Sequence, residues 1–438
     1  MLTRICLGLS LLVAVPVWAQ VDPSATGSST NQDEMQTPPS VSGGYYPTET
    51  ASEVRSNYLS AGVSASAAYD NNVQGSAGSA PASELNYSIR PIVSFDQSTP
   101  RTHRMFSYSP SFTIYQNLSS RNEFDQDASA SFRYRMSPHS LLTLRDSFEE
   151  STNVFNQPFQ GVSGSALSPT EDVIAPFAKH IGNSGGVDLS YQFSPNGMIG
   201  GSGESTIVNY PNPAQAVGLT NSNSYGASAF YNLRLGTTQY MGLNYQHSAM
   251  NSSSTGISSD TNTDTVYLFY TVYVKHALSI SASGGPQHFA VTQTQFAQSS
   301  GWTPAITASM GLQKSRVSVA VSYSRIVSGA GGLLGAFNTS NASAFARCQV
   351  ARSWSAGVGA NYGMQNNLLT GPTSLNPGGH TISGTASGQH QIGNRFAVQI
   401  GYSRLHQSYS GISVISQYPD NNTEYGGVSY QLSKPLGR

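Results

Sequence analysis

The chain has 438 residues, a net charge of −1 and only 10% charged residues, so it lacks the basic excess of a nucleic-acid-binding protein. It also falls well below the roughly 25% charge of an ordinary soluble domain. Polarity resides in neutral groups, with 43 Gly, 24 Tyr and abundant Ser, Asn, Gln and Thr. Beyond the first residues no stretch is apolar and long enough to cross a bilayer as a helix, so membrane residence is open only to a closed barrel.

The N-terminus begins Met1-Leu2-Thr3-Arg4 and continues with an apolar run from Ile5 to Val15. The small residues Val17 and Ala19 then occupy the positions read by signal peptidase, so residues 1–19 are expected to be a secretory signal cut between Ala19 and Gln20. The run is shorter than the ~17 residues a transmembrane anchor needs, and Cys6 lies too early for a lipidated first residue. After cleavage only Cys348 remains, which excludes an intrachain disulfide. Residues 20–57, rich in Ser, Thr, Pro and Gln with no apolar period, read as a disordered periplasmic lead-in.

From Tyr58 the texture changes to a succession of alternating runs. Ala128, Ala130, Phe132, Tyr134 and Met136 alternate with Ser129, Ser131, Arg133 and Arg135; Val317, Val319, Val321 and Tyr323 alternate with Ser318, Ala320, Ser322 and Ser324. One face suits lipid and the other a polar lumen. Two runs blur the pattern. Thr265 to Lys275 is apolar or aromatic on both faces, and Asp146 falls on the nominally lipid-facing side of its run; a bulge or a plug contact would explain either.

Tight turns are expected at 98–103, 137–139, 194–197, 236–237, 275–276, 313–315, 351–353 and 393–395. Longer polar segments fall between them, near 71–83, 118–122, 154–178, 211–222, 251–263, 294–302, 329–337, 367–379 and 408–422. Short periplasmic turns alternating with longer outer loops are the signature of an outer-membrane barrel. The expected fold is therefore all-β: a transmembrane antiparallel up-and-down barrel of about 18 strands over residues 58–433, with a short tail at 434–438. A parallel β-helix would show a fixed short repeat, and a soluble sandwich would carry more charge.

The last run reads Tyr425-Gly426-Gly427-Val428-Ser429-Tyr430-Gln431-Leu432, in which Gly427, Tyr430 and Leu432 resemble the C-terminal assembly signal of outer-membrane barrels. It departs from the usual form in that Ser433 to Arg438 trail beyond it. The first run ends Tyr69-Asp70-Asn71-Asn72-Val73, which resembles the β-barrel porin families of Gram-negative bacteria, some of whose members accompany exopolysaccharide export genes. Those resemblances imply a bacterial outer-membrane location, with outer-membrane lipid, the barrel-assembly machinery and polysaccharide-export components as partners.

No zinc-motif spacing, nucleophile elbow or phosphate-binding glycine loop is present, so no enzyme, metal or cofactor is expected. A barrel enzyme acting on outer-membrane lipids would have to draw on combinations such as His380 with Ser383, or on His288, and Ser is frequent enough to neighbour any His by accident. By strand parity Arg133, Arg135, Arg145 and Arg347 point inward, where they either bias a pore towards anions or pair with carboxylates such as Glu149. The functional expectation is a porin-like channel passing small polar solutes or an exported glycan. A plugged barrel acting as a surface scaffold or adhesin is the alternative.

Overall fold

A computed structural model describes residues 57–73, 80, 82–151, 178–212, 219–254, 257–274, 277–294, 298–328, 334–368, 378–410 and 420–436. The signal segment, residues 20–56, the turn at 275–276 and residues 154–177 of the longest expected loop lie outside them. The first nine strands are β1 Tyr58–Val73, β2 Ala82–Ser98, β3 Thr102–Tyr115, β4 Glu123–Ser137, β5 Ser140–Ser151, β6 His180–Ser194, β7 Gly197–Asn209, β8 Asn221–Arg234 and β9 Gln239–Ser254. The second nine are β10 Ile257–Val274, β11 Leu278–Gln293, β12 Ser299–Lys314, β13 Val317–Ser328, β14 Phe337–Ala351, β15 Trp354–Asn367, β16 Gly379–Ile392, β17 Phe396–Tyr409 and β18 Asp420–Pro435. One 3₁₀ turn, Ser119–Arg121, sits between β3 and β4.

Each strand pairs antiparallel with its neighbours in sequence, and β1 pairs with both β2 and β18. The 18 strands therefore form one closed sheet without an edge. Closure pairs most of the wall's backbone donors and acceptors from strand to strand, as a lipid-facing wall requires. Strand lengths of 12 to 18 residues exceed the ~9 to 11 needed to cross the hydrocarbon at a tilt.

Register and exposure fix the two faces, because directly paired residues share a side. Val63 on β1 pairs with Pro91 on β2 and Tyr430 on β18, and Leu243 on β9 pairs with Leu268 on β10. Ile89, Ile114, Leu189, Leu268, Val358 and Ile400 belong to this outward set, and Ile400 remains 62% exposed. An apolar surface this continuous is lipid-facing. Aromatic residues flank it. Phe193, Tyr231, Trp354 and Phe396 lie towards the short turns, and Tyr225, Trp302 and Tyr362 towards the opposite rim. Tyr and Trp suit the bilayer interface because their rings are apolar and their edges polar.

The inner face is built from small hydroxyl side chains that bond across strands. Ser66 meets Ser88 at 2.7 Å, Ser202 meets Ser228 at 2.7 Å, Thr271 meets Ser281 at 2.9 Å and Ser322 meets Ser343 at 2.6 Å. This is why Ser dominates the polar half of each alternation. A hydroxyl both donates and accepts, so adjacent strands satisfy one another without charge.

Three expectations change. The polar stretch 251–263 is strand: β9 runs to Ser254 and β10 begins at Ile257. Both faces of this hairpin are polar, with Asn251 bonded to Asp260, so it extends as a paired ladder beyond the apolar belt. The aromatic residues on both faces of β10 need no bulge, since its ladder with β9 holds one register from Ile257↔Ser254 to Val272↔Gln239. Instead the inward Tyr267 and Phe269 are buried on the lumen side. Space for such rings comes from glycine: a Cβ at Gly242 would fall 2.7 Å from the Phe269 ring, and one at Gly200 2.4 Å from the Phe230 ring. β18 continues to Pro435, past Ser433, and Leu436 N–H donates to the Asn57 carbonyl at 2.7 Å.

Candidate functional site

The lumen wall is uneven. Along β9, β10 and β11 the inward side chains Tyr240, Asn244, Ser252, Thr261, Tyr267, Phe269, Thr271, Gln287, Phe289 and Val291 are all buried. Met198 and Tyr240 pack with Phe230 and Tyr273 near the short-turn end. Across β4 to β7 the inward side chains Ser129, Arg133, Arg145, Ser147, Ser184, Glu204 and Thr206 remain exposed. The inner surface is therefore accessible along β4–β7 and covered along β9–β11.

Arg133, Arg135, Arg145 and Arg347 all stand on the inner face, opposite the outward Phe132, Leu144 and Ala346. They do not converge. Arg145 Nη1 lies 3.2 Å from Asp188 Oδ2 on β6, and a Cβ at Gly186 would come 2.7 Å from Arg145 Nε, so the guanidinium stem crosses this glycine. Arg347 on β14 donates through Nη2 to Ser355 Oγ and Gln389 Oε1, each at 3.3 Å. Glu149 Oε1 lies 3.8 Å from His180 Nε2.

Carboxylates outweigh these cations. Among the described residues the inner face carries Asp70, Glu84, Asp96, Glu123, Asp125, Asp127, Glu149, Asp188 and Glu204 against Arg90, Arg133, Arg135, Arg145, Arg234 and Arg347. Arg90 Nη2 approaches Asp127 Oδ2 at 3.6 Å, and Asp96 meets His103 at 3.3 Å. An anion-selective lining does not follow from this balance. Asp188 and Glu204 were accessible to strand parity in Val187-Asp188-Leu189 and Gly203-Glu204-Ser205. The contact of Asp188 with Arg145 depends on register, and the Glu204 side chain lies over Gly226 instead.

The outward face has its own polar groups. Asp146 on β5 faces lipid between Leu144 and Phe148, with Asn183 Nδ2 donating to its Oδ1 at 3.2 Å. Towards the outer rim, Asp264 Oδ1 accepts from Tyr245 at 2.7 Å and meets His247 Nδ1 at 2.9 Å. Asp420 meets both Arg404 and His406 at 3.2 Å. In the 3₁₀ turn, burial lowers the pKa of the Arg121 guanidinium, and Glu123 opposes that shift.

His380 pairs outward with Met364, whereas Ser383 pairs inward with Asn361, so the two stand on opposite faces. His288 faces outward, its ring 5.0 Å from Trp302. Among the described residues no group of three or more His, Cys, Asp or Glu is placed to hold a metal ion. Gly427 lies on the inner face paired with Ser66, while Tyr430 and Leu432 face lipid, paired with Val63 and Ala61.

No protein-family model and no curated relative matches the chain. Among solved structures it is similar to OccK3 (OpdO) of Pseudomonas aeruginosa, at 12% identity over 86% of this chain and 96% of that one, with a TM-score of 0.40. It is similar also to OccAB4 of Acinetobacter baumannii, at 9% identity over 86% of this chain and 98% of that one, with a TM-score of 0.41. Against the ferric citrate transporter FecA it is 9% identical over 80% of its own length, spans 60% of that protein and has a TM-score of 0.39. The barrel itself stands on its closed hydrogen-bond ladder and lipid-facing exterior, independently of these likenesses.

Proposed function

We propose that this chain is a non-enzymatic outer-membrane channel, porin-like, through which small polar solutes or an exported glycan pass by passive diffusion. The observation that carries this reading is the exposed polar wall along β4–β7, where Ser129, Arg133, Arg145, Ser147, Ser184 and Glu204 meet solvent inside a closed barrel. An interior of hydroxyls and amides with a few paired charges exchanges hydrogen bonds readily with neutral polar solutes, including sugars. A barrel of 18 strands is wide enough for water unless side chains or loops fill it. The outer membrane is the bilayer that such barrels occupy, and the assembly machinery would receive this one through β18. Folded protein in planar bilayers should give discrete conductance steps; silence across a wide voltage range would overturn the open-channel reading.

One observation favours the second reading, a plugged barrel serving as a surface scaffold or adhesin. The inner side of β9–β11 is buried rather than wet. Deleting Val154–Ala178 separates the two: increased conductance marks that segment as a constriction, and unchanged conductance with lost surface binding supports the scaffold.

A further inference from the structure

The barrel wall is not fully zipped between β12 and β13. β12 begins at Ser299 and β13 ends at Ser328, yet their ladder starts only at Ile306↔Arg325. Continuing that register would set Pro304 opposite Val327, and Pro304 has no N–H to donate. Val327 bonds instead to a side chain one strand further away. Its N–H donates to Gln287 Oε1 at 2.7 Å, and Gln287 Nε2 donates to its carbonyl at 3.3 Å. The buried Gln287 carboxamide thus takes the place of the missing peptide group of β12.

The defect extends sideways. Between Thr265↔Gln287 and Leu268↔Gly284 the β10–β11 ladder lacks two pairs, at Gly285 and Pro286, and Pro286 faces Pro304 across β11 and β12. Two prolines side by side leave this part of the wall short of ladder donors.

What lies on either side of the seam is specific. On the lumen side, Val327 packs with the inward Phe289 and Val291, with Ala336 and with Leu368. This apolar patch contrasts with the hydroxyl-lined wall elsewhere, and Val291 and Ala336 have no exposed surface. Contact between Val327 and the inner face of β11 places the end of β13 on the lumen side of β12. On the lipid side stand Trp302, 71% exposed, and Ile306. Arg325 sits where the ladder resumes, its Nε donating to the neutral Asn338 Oδ1 at 3.3 Å.

We propose that this seam is a lateral port, held shut by Gln287, that admits an anionic single-chain amphiphile from the outer leaflet into the Phe289–Val291 patch. The occupant follows from the surroundings. The break lies beside the lipid-facing Trp302 and Ile306, the patch behind it is apolar, and Arg325 at its edge offers a cation to an anionic headgroup. This route is additional to diffusion through the lumen and does not depend on what the lumen carries.

The test uses the full chain folded in liposomes, with heat-modifiable gel migration as the fold control and dansyl-undecanoic acid as the probe. Wild type should show a saturable fluorescence rise that Val291→Glu weakens roughly ten-fold or more, because a charge then occupies the apolar patch. Gln287→Ala should speed probe entry and Pro304→Thr, which restores an N–H, should slow it. Arg325→Gln should weaken binding of the acid but not of its uncharged methyl ester. Absence of saturable binding by wild type, or binding indifferent to Val291→Glu, would overturn the site. Entry rates unchanged by both Gln287→Ala and Pro304→Thr would overturn the port. Equal losses for acid and ester in Arg325→Gln would overturn the anionic headgroup.

Discussion

Arg145 lies across Gly186 to reach Asp188, Nη1 to Oδ2 3.2 Å, on the exposed side of the lumen wall. Each charge is screened by water and offset by its partner, so neither alone sets the field in the channel. Asp188→Asn should leave Arg145 uncompensated and shift ion selectivity towards anions; Arg145→Ala should shift it towards cations. A unit charge at a few Å in water contributes about 1 kcal/mol or less, so each permeability ratio should move about two- to five-fold. Reversal potentials across a salt gradient measure this, and shifts of the same sign in both variants would refute the pairing's role.

Asp146 presents a carboxylate to lipid with only the Asn183 amide as its described side-chain partner. Carboxylates on the lipid face of a barrel destabilise it according to depth. Asp146→Leu should therefore stabilise the folded barrel by about 1–3 kcal/mol. Denaturant unfolding from liposomes reads this out. A less stable variant would mean that the carboxylate holds β5 against β6 more strongly than lipid penalises it.

Gly242 admits the Phe269 ring against the lumen wall, and a Cβ there would also fall 2.0 Å from the Tyr231 carbonyl oxygen. Gly242→Ala should cost about 2–3 kcal/mol through displaced backbone and ring. Gly236, with nothing within 4 Å of a Cβ, should tolerate Ala within about 0.5 kcal/mol. Thermal unfolding of the pair in one detergent compares them directly, and equal losses would contradict the packing account.

Tyr430 faces lipid on β18 with its ring 4.9 Å from Phe396. If the assembly machinery reads this strand, Tyr430→Ala should slow arrival of folded protein at the outer membrane while costing the purified barrel only about 1 kcal/mol of aromatic packing. Pulse-chase assembly beside unfolding of the purified variant distinguishes recognition from stability. Normal assembly kinetics would remove Tyr430 from the signal.

Strand parity made the inward placement of Arg133, Arg145 and Arg347 legible, because a period of two assigns each residue to a face without knowledge of its neighbours. It could not say that Arg145 meets Asp188, since that contact depends on how β5 and β6 are aligned. Polar composition likewise marked 251–263 as a connection, although in water beyond the lipid a polar hairpin pairs as readily as an apolar one. The Gln287 clasp left no local trace: a buried Gln on a polar strand face is ordinary until Pro304 is brought opposite Val327.

By itself the sequence determined that the wall is a closed succession of two-faced strands, because alternating side chains, charge-poor composition and spaced turns act locally along the chain. Tertiary structure alone decided which inward charges cancel, which wall is wet and where the ladder fails. Those properties belong to register between strands and to side chains reaching across them, which no single strand encodes.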